Sequence, residues 1–385
     1  MGGTAVVVGG GIGGLAAAIG LRRIGWDVRV VERAASLDDA GAGISLAANG
    51  LRALDELGVG EAVRSASRGQ YDGGTRTPGG GWLARMDGSA LERAVGTPIM
   101  GIPRSTLHRL LREALPAEAL LIGAEAVSVE RTGPGTARVD CGDAVLDADL
   151  VVAADGIGSA VRGRLFPDHP GPVYSGSTVL RGITERPIEL RTDFELTWGH
   201  GAEFGHIAFR DGRAEWHAVL RLPARTRFAD PLAELRRRFR DWHDPVPALL
   251  DATRPGAVLH HDVNELRAPL PSYVVGRVAL LGDAAHAMTP NLGQGACQAL
   301  EDAVTLAAAL ATEATVEAGL ARYDAERRPR SQAVALAARQ AGRMGHQLSH
   351  PLAVALRNTA MRLTPSPLAL RMILRHHAWT SPKLP

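Results

Sequence analysis

The residues near the start of the chain that could do chemistry are the glycines between positions 9 and 14. Gly9, Gly11 and Gly14 form a GxGxxG pattern, with Gly13 inside it. Such glycines permit a tight turn, close approach of a pyrophosphate and close packing of the next helix, whose amino end favours phosphate charge. The chain has 45 glycines, so the pattern alone is weak. Its place between a β-branched run and a helical stretch nevertheless predicts a dinucleotide-binding loop.

Glu32 follows a second apolar run, residues 28–31, and completes the order strand, glycine turn, helix, strand, acid. A carboxylate at that point can accept a hydrogen bond from a ribose hydroxyl. This suits the unphosphorylated adenosine ribose of FAD or NAD. The alternative interpretation is a surface glutamate at the end of a strand.

A second carboxylate, Asp283, ends another buried strand and precedes a glycine loop and a long helix. Asp283 can accept hydrogen bonds from the ribityl hydroxyls of a flavin. The backbone N–H groups of Gly293, Gln294, Gly295 and Ala296 lie at the amino end of the helix, where they can stabilise negative charge at the N1 and O2 edge of a flavin. The segment therefore favours FAD.

These motifs require a particular arrangement of elements. A βαβ unit comes first, strand-like runs separated by polar turns begin near residue 173, and a buried strand returns at residues 278–281. We therefore predict an α/β fold, a Rossmann-like FAD-binding domain with an inserted, mainly antiparallel β-sheet and C-terminal helices. The predicted division is 1–172 for the first part of the FAD-binding domain, 173–272 for the substrate-binding sheet, 273–345 for completion of the first domain with long helices, and 346–385 for a helical tail.

Composition excludes several classes of function. The net charge is +2, and no basic run interleaves with aromatic residues, so we expect no nucleic-acid partner. Cys141 and Cys297 are far apart and lack a CxxC spacing, which predicts neither a disulfide framework nor a metal site. There is no room for a leader before the first strand, and no stretch reaches the ~20 apolar residues of a membrane helix. We therefore expect a cytoplasmic protein without a membrane partner.

Three motifs together resemble those of the group A flavoprotein aromatic hydroxylases, the family of p-hydroxybenzoate and salicylate hydroxylases. They are the glycine loop, an Asp-Gly motif at Asp155-Gly156, and the Gly-Asp motif at Gly282-Asp283 with Pro290 and its glycine loop. The resemblance covers nearly the whole chain. It implies that FAD is also contacted by residues outside the first and third motifs, namely Arg33, Ser45, Arg104, Val127 and Asp155. For Arg104, the alternative is a solvated arginine in the first turn of a helix.

The resemblance also implies the chemistry. NADH or NADPH would act as a transient reductant, O₂ would react through a flavin C4a-hydroperoxide, and a small aromatic substrate would be hydroxylated. The implied catalytic residues are Arg181, Met288 and Pro290, and the implied substrate-binding residues are His206, Trp216 and His217. For each residue of the sheet, a packed core or surface role is an alternative. We expect a monomer or a homodimer.

Other functions are also compatible with these three motifs. A flavin enzyme of the same architecture could perform epoxidation, Baeyer-Villiger oxygenation or dehydrogenation, and a non-catalytic FAD-binding scaffold is a third hypothesis. A tryptophan-type halogenase is disfavoured because the WxWxIP signature is absent.

Overall fold

A computed structural model describes residues 2–37, 41–131, 135–142 and 144–385 of the 385 residues. The strands, in chain order, are β1 (Thr4–Val8), β2 (Asp27–Glu32), β3 (Gly43–Leu46), β4 (Arg68–Gln70), β5 (Asp72–Arg76), β6 (Trp82–Asp87), β7 (Ile99–Pro103), β8 (Leu120–Ile122), β9 (Ser128–Arg131), β10 (Ala137–Asp140), β11 (Val145–Ala148), β12 (Leu150–Ala153), β13 (Val173–Ile183), β14 (Phe194–Trp198), β15 (Ala202–Ala208), β16 (Ala214–Leu220), β17 (Leu259–Glu265), β18 (Val274–Val275) and β19 (Val278–Leu280).

The helices connect and cover these strands. In chain order they are α1 (Ile12–Arg23), α2 (Ala48–Glu56), α3 (Gly60–Ala66), α4 (Gly88–Val95), α5 (Arg104–Glu113), α6 (Ala160–Leu165), α7 (Pro231–Phe239), α8 (Val246–Asp251), α9 (Asp283–His286), α10 (Gly295–Thr312), α11 (Val316–Met344), α12 (Pro351–Leu363) and α13 (Ser366–His377). Two short 3₁₀ helices occupy Ala117–Ala119 and Pro290–Leu292.

The first sheet is built on the βαβ unit. Its strand order is β18-β19-β12-β1-β2-β8, and all neighbours are parallel except β18 and β19. Its central strands are continuous apolar runs because helices cover both faces of a parallel sheet. Val7 pairs with Val152 on one side and with Val30 on the other, while Ala279 pairs with Val152. The predicted α/β fold with a Rossmann-like FAD-binding domain is confirmed.

The second sheet has seven strands in the order β17-β13-β16-β15-β14-β5-β6, antiparallel except where β14 lies parallel to β5. Its outer face packs against α7 and α8, with Trp216, Phe204 and Phe239 in a core of their own. Strands β5 and β6 come from residues well before 173, so this sheet draws on two separate stretches of the chain. The domain boundaries stay a prediction.

A small sheet, β3-β7-β4, packs against the seven-stranded sheet. Two of its glycines allow close contact with the seven-stranded sheet. A Cβ atom at Gly43 would lie 2.6 Å from Cβ of Glu215, and one at Gly101 would lie 2.6 Å from Cγ2 of Ile207. Larger residues at Gly43 and Gly101 would push the small sheet away from the seven-stranded sheet. These two glycines therefore set the distance between the two sheets.

The predicted ribbon is present as β9-β10-β11, and the turn residues 132–134 and 143 lie outside the described residues. Long helices follow β19. Among the described residues, we find no helix of the length and apolar character that crossing a bilayer requires.

Candidate active site

The glycine loop has free space beside Gly11, in its middle, and is tightly packed at Gly14, where it ends. Gly9 has a φ of +109°, a conformation that favours glycine. A Cβ atom at Gly14 would lie 1.9 Å from the carbonyl oxygen of Gly9, whereas one at Gly11 would meet nothing within 4 Å among the described atoms. The amino end of α1 has no side-chain cap from the described residues. Its N–H groups can therefore receive a phosphate through the open side at Gly11.

Glu32, at the end of β2, also holds the glycine loop in place through hydrogen bonds. Its carboxylate accepts hydrogen bonds from the backbone N–H of Gly10 at 2.7 Å and of Ala34 at 2.8 Å. On the other side of the loop, Nε2 of the buried His108 lies 2.7 Å from the Gly10 carbonyl oxygen. Sequence reasoning missed His108, which helix α5 brings there from almost a hundred residues away.

The Asp-Gly and Gly-Asp motifs meet through Arg162, another residue that sequence reasoning missed. Its guanidinium donates to the carbonyl oxygen of Ala284 at 3.0 Å and to that of Ile157 at 2.6 Å. Burial lowers the pKa of Arg162, and the nearby carboxylates of Asp155 and Asp283 partly offset that effect. Arg162 is thus a positioning residue that holds the two acidic motifs beside each other.

Asp155 and Asp283 both have carboxylate oxygens that can accept hydrogen bonds from a bound polar group. Oδ2 of Asp155 accepts from the N–H of Val161 at 3.2 Å, but its buried Oδ1 has no hydrogen-bond partner among the described groups. The side chain of Asp283 stays accessible to solvent at the bottom of a cleft. Burial raises the pKa of Asp283, while the charges of His286, Arg104 and Arg162 lower it. The unpartnered buried oxygen of Asp155 and the accessible carboxylate of Asp283 both fit the hydroxyl groups of FAD.

The loop before α10 forms the third part of the cradle. Gly293 has a φ of +62°, and neither Gly293 nor Gly295 has a described atom within 4 Å of the place where a Cβ would be. The first turn of α10 has no acidic residue. The side chain of Gln294 is buried, and its Oε1 accepts from Nδ2 of Asn49 at 2.8 Å. Backbone N–H groups, rather than the Gln294 side chain, therefore face the open cradle.

A buried ionic network supports both loops from below. Asp302 accepts from the Gly282 N–H at 3.0 Å and from Nε of Arg327 at 2.7 Å, and its Oδ2 lies 2.6 Å from Nε2 of His286. Burial opposes ionisation of Asp302, but the charges of His286 and Arg327 outweigh it and lower its pKa to about 2. Glu301 pairs with Arg327 as well. This network ties α10 and α11 to the Gly-Asp motif.

The remaining predicted cofactor residues lie at the ends of the same elements. Arg104 begins α5 and influences Asp283 electrostatically. Ser45 pairs with Gly101 in the small sheet, and Arg33 is exposed just after β2. Val127 is exposed, and its N–H donates to the Asp140 carbonyl oxygen at 2.7 Å, so only its carbonyl could serve an adenine. Their contacts with FAD stay predictions.

The inner face of the seven-stranded sheet carries two of the predicted substrate residues. Arg181 and His217 are cross-strand neighbours on β13 and β16. Arg181 donates to Glu215 at 2.9 Å and to the Gly43 carbonyl oxygen at 2.6 Å. Nδ1 of His217 lies 3.3 Å from Oε2 of Glu215, and its Nε2 lies 3.9 Å from Oε1 of Glu203.

This polar cluster reaches the loop before α10. Nδ1 of the buried His346 lies 3.8 Å from Oε2 of Glu203 and 3.4 Å from Nδ2 of Asn291. Asn291 belongs to the 3₁₀ turn that Pro290 begins. Met288 is half-buried and Pro290 exposed just ahead of it. The inner face and the loop thus share one chain of polar contacts, which sequence reasoning did not find.

The structure does not bring Trp216 and His206 to this face. Side chains alternate along a strand, so Trp216 points away from its neighbours Glu215 and His217. Its Nε1 donates to Thr253 at 2.7 Å, and its ring stacks on Phe204 in the outer core. His206 pairs with Trp216 in the sheet and is buried on the same side.

Acidification is expected to destabilise the protein through His206. Burial lowers the pKa of this histidine to about 4, against about 6.5 for an exposed one. Between these values the unfolded chain binds a proton that the folded chain does not, so stability falls as the pH falls. From about pH 7 to about pH 5, His206 should cost about 2 kcal/mol of unfolding free energy.

Urea unfolding of the wild type and of His206→Leu at both pH values measures this contribution. Other groups titrate alike in the two proteins, so the difference between their pH dependences belongs to His206. Identical pH dependences would contradict the assignment.

Residues 3–338 match the family described as FAD binding domain. The chain is 38% identical over 366 residues to the aurachin C monooxygenase/isomerase of Stigmatella aurantiaca, with 94% of each chain covered. It is 35% identical to the 3-amino-4-hydroxybenzoate 2-monooxygenase of Streptomyces cremeus, covering 94% of this chain and 93% of that protein.

A solved structure agrees over the whole fold. Klebsiella pneumoniae HpxO complexed with FAD and uric acid superposes with a TM-score of 0.89 at 27% identity, covering 97% of this chain and 96% of that chain. The chain therefore belongs to the FAD binding domain family, and it is an FAD-dependent monooxygenase of aromatic compounds.

Proposed function

We propose that the substrate is an aromatic compound with a ring O–H or N–H group and no carboxylate. The observation that carries this proposal is the charge of the cluster around His217. Two buried carboxylates, Glu203 and Glu215, stand against the single guanidinium of Arg181. Such a site offers hydrogen-bond acceptors to a neutral ring, and it opposes a second anion.

The ionisation of both glutamates supports this reading. Burial opposes the charge of Glu215, but Arg181 and His217 hold its pKa below the usual value. Burial likewise opposes the charge of Glu203, and His346, His217 and Trp198 lower its pKa. Because Arg181 already pairs with Glu215 and with Gly43, its charge is matched within the protein. A substrate carboxylate would therefore find no uncompensated cation there.

His217 is the residue that we place against the reacting ring. Its imidazole is positioned by Oε2 of Glu215 at 3.3 Å and Oε1 of Glu203 at 3.9 Å. A positioned imidazole can accept a proton from a ring O–H or N–H group. Loss of that proton makes the ring richer in electrons, as attack by an electrophilic oxygen requires. When bound, FAD supplies hydride acceptance from NADH or NADPH and activation of O₂. The substrate ring would be lined by the side chains of Arg181, Met288 and Pro290.

Two of the relatives differ in whether their substrate or bound ligand carries a carboxylate. Uric acid, which is bound to HpxO in its structure, has ring N–H groups and no carboxylate. The Streptomyces relative, by its name, acts on a benzoate. The matched charge of Arg181 favours the first class for this chain. We also propose a cytoplasmic location, which the free thiols of Cys141 and Cys297 support, and a monomer or homodimer as the assembly.

Stopped-flow reduction of the FAD-loaded protein tests the substrate class. NADH and NADPH would be compared with phenols, quinolones and purines on one side and hydroxybenzoates on the other. We expect a compound of the first group to accelerate flavin reduction and to gain one oxygen atom. Acceleration by hydroxybenzoates alone would overturn the proposal. Hydrogen peroxide as the only product with every compound would favour another oxidation chemistry.

Replacing His217 with glutamine tests its role. The amide can still form hydrogen bonds but cannot take up the proton, so we expect hydroxylation to slow about 100-fold. FAD occupancy and reduction without substrate should not change. His200→Gln is the matched control, because His200 is exposed in the turn between β14 and β15 of the same sheet. Equal turnover by both variants would remove His217 from the mechanism.

A further inference from the structure

The C-terminal helices carry an unusual distribution of charge. From residue 327 to residue 385 the sequence contains no aspartate or glutamate, while arginines recur throughout. Of the described residues, none forms an ion pair with Arg371 or Arg375 on α13. This end of the molecule therefore presents uncompensated positive charge, although the whole chain is close to neutral.

The same helices expose large apolar side chains. On α12 the exposed fractions are 75% for Leu352, 73% for Leu356 and 75% for Leu363. At about 100° per residue these three positions fall within about 40° of each other, so they form one stripe. On α13, Leu368 is 50% and Met372 64% exposed, one turn apart. We call these five residues the apolar stripe.

The stripe is not the face by which the helices attach to the protein. Val354 and Arg357, on the opposite side of α12, are buried. Arg357 donates to the Gly345 carbonyl oxygen at 2.8 Å, and its guanidinium lies 5.0 Å from the Trp198 ring. His377 is the buried residue of α13 and lies opposite Leu368 on the helix. The outward direction of the stripe is therefore fixed by packing.

Both helices lie on the same side of the molecule. Helix α12 packs against β6, and α13 packs against α4, which directly follows β6. Arg371 and Arg375 flank Leu368 and Met372 on their face of α13. Asp87 caps α4 and lies 4.0 Å from Arg93, and Glu92 on α4 accepts from the Tyr71 hydroxyl at 3.3 Å, so neither acid pairs with Arg371 or Arg375.

From these observations we infer that the apolar stripe and its flanking arginines dock this protein reversibly on an anionic lipid surface. An apolar stripe flanked by basic residues is the pattern by which helices lie in the plane of a bilayer. A second copy of the chain is a poorer occupant, because two such faces would bring like charges together without an acid to match them. The inference differs from the expectation of no membrane partner, requires no spanning helix, and does not depend on the substrate class.

Vesicle sedimentation of the full-length, FAD-loaded protein tests the docking. We expect at least about tenfold stronger partitioning to vesicles of mixed phosphatidylglycerol and phosphatidylcholine than to phosphatidylcholine alone. The preference should disappear at about 1 M salt, where the Debye length falls to ~3 Å. Absence of binding to the anionic vesicles at low salt would overturn the inference.

Variants separate the contribution of the apolar stripe to lipid binding from that of the flanking arginines. Leu352→Ser/Leu356→Ser/Leu363→Ser should weaken partitioning at least about tenfold. Arg371→Gln/Arg375→Gln should remove the preference for anionic lipid. Val145→Ser, at an exposed apolar residue of β11, should change neither. FAD occupancy and melting temperature verify that each variant folds.

Two results would contradict the docking. Wild-type partitioning by the leucine variant would exclude the stripe. A dimer in light scattering that the leucine variant dissociates, without lipid binding by either protein, would assign the face to a second copy of the chain.

Discussion

Arg327→Met should lower the free energy of unfolding by about 3 kcal/mol and weaken FAD retention. Arg327 is buried and pairs with two buried carboxylates, Glu301 and Asp302. Removing one partner of such a group leaves charge without compensation in a medium that solvates it poorly. Asp302 also accepts from the Gly282 N–H at 3.0 Å, so its rearrangement would disturb the Gly-Asp motif.

Urea unfolding followed by circular dichroism measures the loss. Arg328→Met is the matched control, because its neighbour Arg328 forms a partly exposed i,i+4 pair with Asp324. Such pairs contribute ~1 kcal/mol or less. Equal destabilisation by the two variants would show that burial of Arg327 has no special importance. Adding Asp302→Asn to Arg327→Met should recover part of the loss, because Asp302 has lost its guanidinium partner whereas Glu301 keeps Arg330.

Asp283→Ala should weaken FAD binding at least about tenfold, which corresponds to about 1.4 kcal/mol. The substitution removes the cleft carboxylate that we assign to the ribityl hydroxyls, and it leaves Arg162 with Asp155 alone. It should not destabilise the protein without FAD. Asp283 is exposed to solvent, so its replacement should change the unfolding free energy of the FAD-free protein by no more than about 0.5 kcal/mol.

Two measurements are therefore needed for this variant. Fluorescence titration gives the FAD affinity, and thermal unfolding of the FAD-free protein gives the stability. Asp251→Ala serves as a control, since Asp251 is an exposed partner of Arg236 at the end of α8. Lower stability with unchanged FAD affinity would show that Asp283 is a structural residue.

Local patterns predicted the parts of the site that are contiguous in the chain. The valine run of β1, the glycine loop and Glu32 lie within a single βαβ unit, so spacing alone places them together. The Gly282-Asp283 motif is similarly local, because strand end, turn and helix follow one another. In each case the backbone forms the binding surface, and the required residue types are few.

Residues that act through long-range contacts escaped prediction. Arg162 is one of many arginines, and nothing in its neighbourhood distinguishes it until α6 places it between Asp155 and Asp283. His108 and Arg327 likewise acquire their partners only when helices pack. The strand formed by Asp72–Arg76 contains two glycines and lacks an apolar alternation, yet it pairs with β14 on one side and with β6 on the other.

By itself, the sequence determined the fold class, the cofactor and the loops that hold it, because these depend on motifs whose geometry is local. Side chains alternate along a strand, so Glu215 and His217 share one side and Trp216 lies on the other, and the predicted substrate residues Trp216 and His217 could not both face one site. Which side faces the cleft was decided only by the tertiary structure, through the close approach of Gly43 to Glu215 and the helices that cover Trp216. The charge of the substrate site was likewise decided there, because Arg181, Glu203 and His346 come from separate segments that meet only when the sheet and the C-terminal helices pack together.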